Sequence, residues 1–167
     1  MTPSVLFVCM GNICRSPAAE GVMEFVANQQ DISIQVDSAG THDYHTGERA
    51  DRRMRAAAQR RGIDLTSRAR AVTPEDLRPG TFDAVVAMDD ENMRNLEACY
   101  RSHASDALPS HVRLLSHWLD NDSEFPREVP DPYYGGDDGF ELVLDMLQAA
   151  CPAILEELGN TSAASAD

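Results

Sequence analysis

The chain contains no lysine. All 14 of its basic residues are arginines, set against 28 acidic residues in a length of 167, which leaves a net charge of −14. Nucleic acid and anionic lipid both need a cationic surface, so neither is expected as a partner. A small anion remains possible wherever a few positive groups converge. No apolar run approaches the roughly 18 residues that would suggest a membrane span. The stretch Val5 to Met10 lacks a basic flank and does not read as a signal peptide. Cysteine is scarce, at positions 9, 14, 99 and 151, with no paired spacing suited to zinc. Four cysteines in a chain with ample core residues read as reduced thiols in a cytoplasm rather than as a disulfide frame.

What is present is ordinary globular composition, 43% hydrophobic and 25% charged, enough to bury one core. One monomeric domain is expected over residues 1–158. Residues 159–167 are small and polar and are expected to be an unstructured tail. Ser4 to Val8 is a short apolar run without alternation, as in a strand buried on both faces. A helix follows from about Pro17 to Asn28, with Ser16 as a possible cap. Ile32 to Val36 alternates and suggests a second strand. Ala50 to Arg61 reads as a helix closed by Gly62. A third strand (Phe82 to Met88), a helix (Glu91 to Tyr100) and a weak fourth strand (Val112 to Leu115) come next. A long helix, Gly139 to Leu158, ends the series, with Pro152 as a possible kink. Strand and helix alternate four times, which favours an α/β, doubly wound parallel sheet with helices on both faces. Ligands bind such sheets at the carboxyl ends of the strands.

The segment Cys9-Met10-Gly11-Asn12-Ile13-Cys14-Arg15-Ser16 lies between the first strand and the first helix. From Met10 to Ser16 every backbone N–H is free to point inward, and a loop feeding a helix N-terminus is a natural anion cradle. Gly11 is suited to a positive φ that would curl the loop. Arg15 offers a planar fork for two phosphate oxygens. Helix N-termini and arginine favour the thiolate of a neighbouring cysteine, which makes Cys9 a candidate nucleophile aimed at the bound anion. Ser16 can either cap the helix or donate its hydroxyl to the Cys9 sulfur. The bare pattern of a cysteine with an arginine six residues later is common, and a buried core thiol is the plainer alternative; the strand, the glycine and the Ser-Pro helix start raise its weight.

A thiolate that displaces an alkoxide or phenolate needs a proton donor for the leaving group. Asp131-Pro132-Tyr133-Tyr134-Gly135-Gly136 is the best candidate. Proline holds Asp131 extended, and the two tyrosines could wall a slot for an aromatic group. Taken alone, the segment also reads as a plain turn.

Together these two segments resemble the low-molecular-weight protein tyrosine phosphatases, over about residues 4–158. Asp37-Ser38-Ala39-Gly40-Thr41 and Gly135-Gly136 are similar to the bacterial, cyanobacterial-type members. The resemblance implies a flavodoxin-like, four-stranded parallel sheet and no metal or cofactor. It implies Cys9 as nucleophile, Arg15 as binder of phosphate and transition state, and Asp131 as general acid. Met10, Gly11, Asn12, Ile13, Cys14 and Ser16 would form the phosphate-binding loop, and Ser38 would support it with Asn12 and Ser16. Tyr44 falls where the family has an aromatic wall, and Tyr133 and Tyr134 would complete the pocket. The family also has an aspartate near Asp89. The implied partners are a tyrosine-phosphorylated protein and inorganic phosphate or similar oxyanions in the site. One departure stands out: Ser67 occupies the place of a histidine that many members carry in the loop's polar network.

Two other functions compete. A thioredoxin-coupled arsenate reductase shares the loop but needs two further thiols after the third strand, where this chain has only Cys99. A silent phosphate- or flavin-binding module needs neither Cys9 nor Arg15. The arginine run from Arg49 to Arg70 reads as a solvated face or as a positive rim for acidic phosphopeptides. The five histidines show no ligand spacing, although His42 and His45 flank Tyr44. Trp118 reads as core. Cys14, five residues from Cys9, is placed to trap an oxidised Cys9 as a disulfide or simply to pack.

Overall fold

The computed structural model describes residues 1–165. Four strands, β1 (Ser4–Cys9), β2 (Gln35–Gly40), β3 (Ala84–Ala87) and β4 (Val112–Leu114), form one sheet in the order β2-β1-β3-β4. Every pairing is parallel. Helices α1 (Arg15–Gln29), α2 (Arg52–Gln59), α3 (Asp90–Arg101) and α4 (Asp137–Ser165) flank it. This is the flavodoxin-like doubly wound arrangement. The chain leaves β1 toward β2 on one side and toward β3 on the other, so a crevice opens beyond the carboxyl ends of β1 and β3.

Side-chain alternation in β1 explains the two layers. Val5, Phe7 and Cys9 face the larger core with α1, α2 and α4, and Leu6 and Val8 face the smaller core with α3. All six β1 residues are buried, as expected for a strand inside a parallel sheet. Among the described residues no helix is long and apolar enough to cross a membrane.

Among the boundaries that differ from the sequence-based expectation, three have a clear physical reason. The second strand is Gln35–Gly40 rather than Ile32 to Val36. Asp31 adopts a left-handed φ of 56°, and Ile32 N–H donates to Ala27 C=O, closing α1; an aspartate does there what glycine usually does. The strand then extends into Asp37-Ser38-Ala39-Gly40, a weak β sequence whose placement follows from the site it supports. Helix α1 begins at Arg15, not Pro17. Its cap is Cys14, which makes no side-chain capping bond, so Ser16 lies inside the first turn with its hydroxyl free for another role. Finally, the tail expected to be unstructured is helical as far as Ser165. Leu158 is buried and Ser162 donates to the Met1 carbonyl, which carries the helix past Gly159; residues 166 and 167 lie outside the described residues. Gly62 closes α2 as expected, at φ 79°.

Candidate active site

The segment Cys9 to Ser16 wraps around the sulfur of its first residue. Asn12 N–H donates to Cys9 Sγ at 3.3 Å, and Ser16 Oγ lies 3.0 Å from the sulfur. The left-handed turn expected at Gly11 falls on Asn12, at φ 57°. Asparagine tolerates this conformation better than most residues, and its strain of about 1 kcal/mol is outweighed by three side-chain hydrogen bonds of about 1 kcal/mol each. Asn12 Nδ2 donates to Ser16 Oγ (2.8 Å) and to Ser38 Oγ (2.9 Å). Asn12 Oδ1 accepts from Arg70 N–H at 3.0 Å. Ser16 Oγ accepts from Asn12, and its own hydrogen has the Cys9 sulfur at 3.0 Å and the Ala39 carbonyl at 3.5 Å within reach. The alternative left open by the sequence is thereby resolved: Ser16 is not a helix cap.

Glycine is needed here for close approach. A Cβ on Gly40 would lie 2.7 Å from the Met10 carbonyl oxygen, and one on Gly11 would lie 3.1 Å from the His45 ring. The Cys9–Ser16 loop is thus pressed between β2 and the segment after it. Thr41 N–H and His42 N–H donate to the carbonyls of Cys9 and Met10, which fixes His42 and Tyr44 on the loop's outer side.

Sequence reasoning missed the far end of this network. Ser38 Oγ donates to Glu20 Oε2 at 2.6 Å. Burial pushes the Glu20 carboxyl above the usual carboxylate range, against hydrogen bonds from Ser38 and Ser67 that favour its charged form. The available signal was Glu20's position four residues after Ser16, one turn along α1.

Arg15 is 2% exposed. Its Nη1 donates to Asp89 Oδ2 at 2.6 Å and to the Val129 carbonyl at 3.0 Å, while Nη2 lies 3.8 Å from Asp131 Oδ2. Burial works against the guanidinium's charge, but the neighbouring Cys9, Asp89 and Asp131 prevail and raise its pKa. Asp89 therefore has two tasks. One oxygen caps α3 through Asn92 N–H at 2.7 Å, and the other turns Arg15 toward the loop.

The acid segment reaches the site by a short path. Val129 N–H donates to the Met88 carbonyl at the end of β3, and Asp131 follows two residues later. Its carboxylate, about one-third exposed, accepts from Tyr133 N–H at 3.1 Å. Cys9, Met10, Gly11, Ile13, Cys14, Arg15, Asp131, Tyr44, Tyr133 and Tyr134 all line one cleft of about 840 Å³. Tyr44 is 80% exposed and stacks on His42 at 4.3 Å; Tyr133 and Tyr134 meet edge to face at 4.9 Å. Asn12, Ser16 and Ser38 lie behind this lining. A face of α3, with Glu91, Asn95 and Cys99, closes the opposite side.

Part of the arginine run is paired with carboxylates. Arg60 and Arg61 pair with Glu141 and Asp145 on α4, and Arg70 bridges Asp37 and Asp76. Trp118 is half-buried, with Nε1 donating to Glu157. All four cysteines are free, and Cys9, Cys14 and Cys151 are buried.

The model of the low molecular weight phosphotyrosine protein phosphatase family matches residues 4–164. A Synechocystis sp. protein bearing that family's name is 43% identical over 158 residues, covering 93% of this chain and 96% of the relative. The low molecular weight phosphotyrosine protein phosphatase of Homo sapiens is 39% identical over the same length and the same shares. A crystal structure of a protein tyrosine phosphatase from Entamoeba histolytica superposes with a TM-score of 0.82, at 36% identity, covering 96% of this chain and 99% of that one.

Proposed function

Because the chain belongs to the low molecular weight phosphotyrosine protein phosphatases, we propose that it hydrolyses phosphotyrosine through a phosphocysteine on Cys9. Arg15 binds the phosphoryl group, and Asp131 acts as general acid and then as base. The observation that carries this reading is the convergence on one sulfur: a backbone N–H and a hydroxyl face Cys9 Sγ, with Arg15 and Asp131 on the open side of the same cleft.

In the first step the Cys9 thiolate attacks phosphorus. The S–P bond forms, the P–O bond to the tyrosyl ring breaks, and Asp131 passes a proton to the departing phenolate oxygen. Loop N–H groups and the Arg15 fork hold the equatorial oxygens as charge redistributes among them. In the second step water gives a proton to the Asp131 carboxylate and attacks phosphorus. The S–P bond breaks, inorganic phosphate leaves, and the thiolate returns. Ser16 stabilises that thiolate as a leaving group by donating its hydroxyl hydrogen to the sulfur 3.0 Å away. Tyr44, Tyr133 and Tyr134 supply an aromatic wall that favours aryl over alkyl phosphates.

The test is hydrolysis of p-nitrophenyl phosphate, a phosphotyrosyl peptide and O-phosphoserine, each with and without vanadate. Turnover of the first two, blocked by vanadate, with little on phosphoserine, is the expected result. Binding of phosphate without turnover would make the chain an anion-binding module instead.

A further inference from the structure

Arg53, on the first turn of α2, joins the phosphate-binding loop to the tip of the acid segment, beside the contacts that Arg15 makes with Val129 and Asp131. Its anchor is Asp51, which caps α2: Arg53 Nε and Nη2 donate to the two Asp51 carboxylate oxygens at 3.2 and 3.0 Å. Asp51 in turn is fixed to the phosphate-binding loop, where its backbone N–H donates to the Ile13 carbonyl at 2.7 Å. From that anchor Arg53 Nη2 donates across to the Tyr133 carbonyl at 3.1 Å. The guanidinium also lies 5.4 Å from the Tyr133 ring centroid and 4.9 Å from that of the buried Phe140, so two aromatic faces hold it in place.

These contacts bear on Asp131 directly. Tyr133 N–H is donated to Asp131 Oδ1, while the carbonyl of the same residue is held by Arg53. An exposed ion pair by itself contributes little to stability. What this one fixes is the distance between two loops that must act on one phosphorus atom. We propose that Arg53 is a positioning residue, which holds the Asp131 carboxyl at the distance from Cys9 and Arg15 needed for proton transfer to the leaving group. The proposal rests on Asp131 being the general acid.

The experiment compares kcat/KM for a poor leaving group (phenyl phosphate) and a good one (p-nitrophenyl phosphate) in wild type, Arg53→Met, Arg53→Lys, Asp131→Asn and Arg53→Met/Asp131→Asn. Methionine keeps the apolar contact with the two rings and removes the donors. The parameter kcat/KM reports the step in which the leaving group departs. In Arg53→Met it should fall about 10–100-fold for phenyl phosphate and only about threefold or less for p-nitrophenyl phosphate. Arg53→Lys should lie between Arg53→Met and wild type, since one ammonium cannot grip Asp51 and Tyr133 together as the fork does. The double variant should lose nothing beyond Asp131→Asn, because positioning has no value without the acid. Equal losses on both substrates in Arg53→Met, or full additivity in the double variant, would overturn the role of Arg53 while leaving Asp131 as the acid. Equal losses on both substrates in Asp131→Asn would remove the acid assignment itself, and the positioning role with it. If Arg53→Met fails to fold, the substrate dependence of Arg53→Lys decides alone.

Discussion

The two halves of the site are built in opposite ways. The Cys9–Ser16 loop is largely buried and held by several partners: Asn12 by three, Met10 against Gly40, Arg15 by Asp89 and Val129. The Asp131 segment is more exposed, and its tip, Asp131 to Tyr134, is held by Arg53, by its own Asp131–Tyr133 bond and by Arg15 Nη2, 3.8 Å from Asp131 Oδ2. The difference suits the proposed chemistry, which gives the two halves different tasks. The loop must present fixed dipoles to a charge that develops at one place, and reorganisation there would be costly. The acid must meet leaving groups that differ from one substrate to the next, and it must then admit water. Rigidity serves the first task and access serves the second.

If that contrast is right, changes in the loop should damage all substrates alike, and changes in the acid half should discriminate among them. Arg15→Lys gives the largest effect short of removing the nucleophile. We expect a loss of about 10²–10³-fold on every substrate, nearly that of Arg15→Ala, because a point charge cannot replace a bidentate fork. Near wild-type turnover in the lysine variant would show that Arg15 supplies only charge. Asn12→Ala should cost about tenfold on aryl and alkyl phosphates equally, with about 1–3 kcal/mol of stability from the hydrogen bonds lost and the left-handed φ kept. Thermal unfolding and kcat/KM check it together, and a substrate-dependent loss would blur the contrast.

How much of this was legible in the sequence follows the same division. The loop's chemistry is contiguous from Cys9 to Ser16, so Cys9, Arg15 and Ser16 could be assigned from local logic. Asp131 was less legible: the need for an acid made its segment the best candidate, but Asp-Pro before Tyr-Tyr-Gly-Gly is also a turn signal, and the family resemblance added most of its weight. The supports were illegible for a different reason. Glu20 acts on Ser38 from 18 residues away, Asp89 on Arg15 from 74 and Arg53 on Tyr133 from 80, distances across which no periodicity speaks. The second strand was misplaced because its end, Asp37 to Gly40, is shaped by the loop beside it rather than by β propensity. The Asn12 turn was assigned to Gly11 because glycine is the usual left-handed residue, and the network that stabilises asparagine there is tertiary.

Smaller effects sharpen the comparison from the acid half. Tyr44→Ala should lower kcat/KM for a phosphotyrosyl peptide relative to a small alkyl phosphate by about 2–10-fold, the ratio that corresponds to an aromatic contact of about 0.5–1.5 kcal/mol. An unchanged ratio would place Tyr44 outside the substrate's path. Cys14→Ser should have the smallest effect on turnover itself and a clear one after oxidation. Burial pushes the Cys14 thiol up, so it stays protonated beside Cys9. Peroxide converts Cys9 to a sulfenic acid, and displacement of water by the Cys14 thiol then gives a disulfide. Wild type should regain activity with dithiothreitol, whereas in Cys14→Ser further peroxide carries the untrapped sulfenic acid to an irreversible sulfinic acid, and activity should not return. Equal recovery, with no Cys9–Cys14 peptide by mass spectrometry, would make Cys14 a packing residue.

The most direct measurement is rapid acid quenching during turnover of p-nitrophenyl phosphate, followed by mass spectrometry of the peptides. The account predicts a phosphoryl adduct on the Cys9 peptide in wild type. It predicts a longer-lived adduct in Asp131→Asn, where water lacks its base, and none in Cys9→Ser, which should still bind phosphate. An adduct on another residue, or turnover retained in Cys9→Ser, would contradict it.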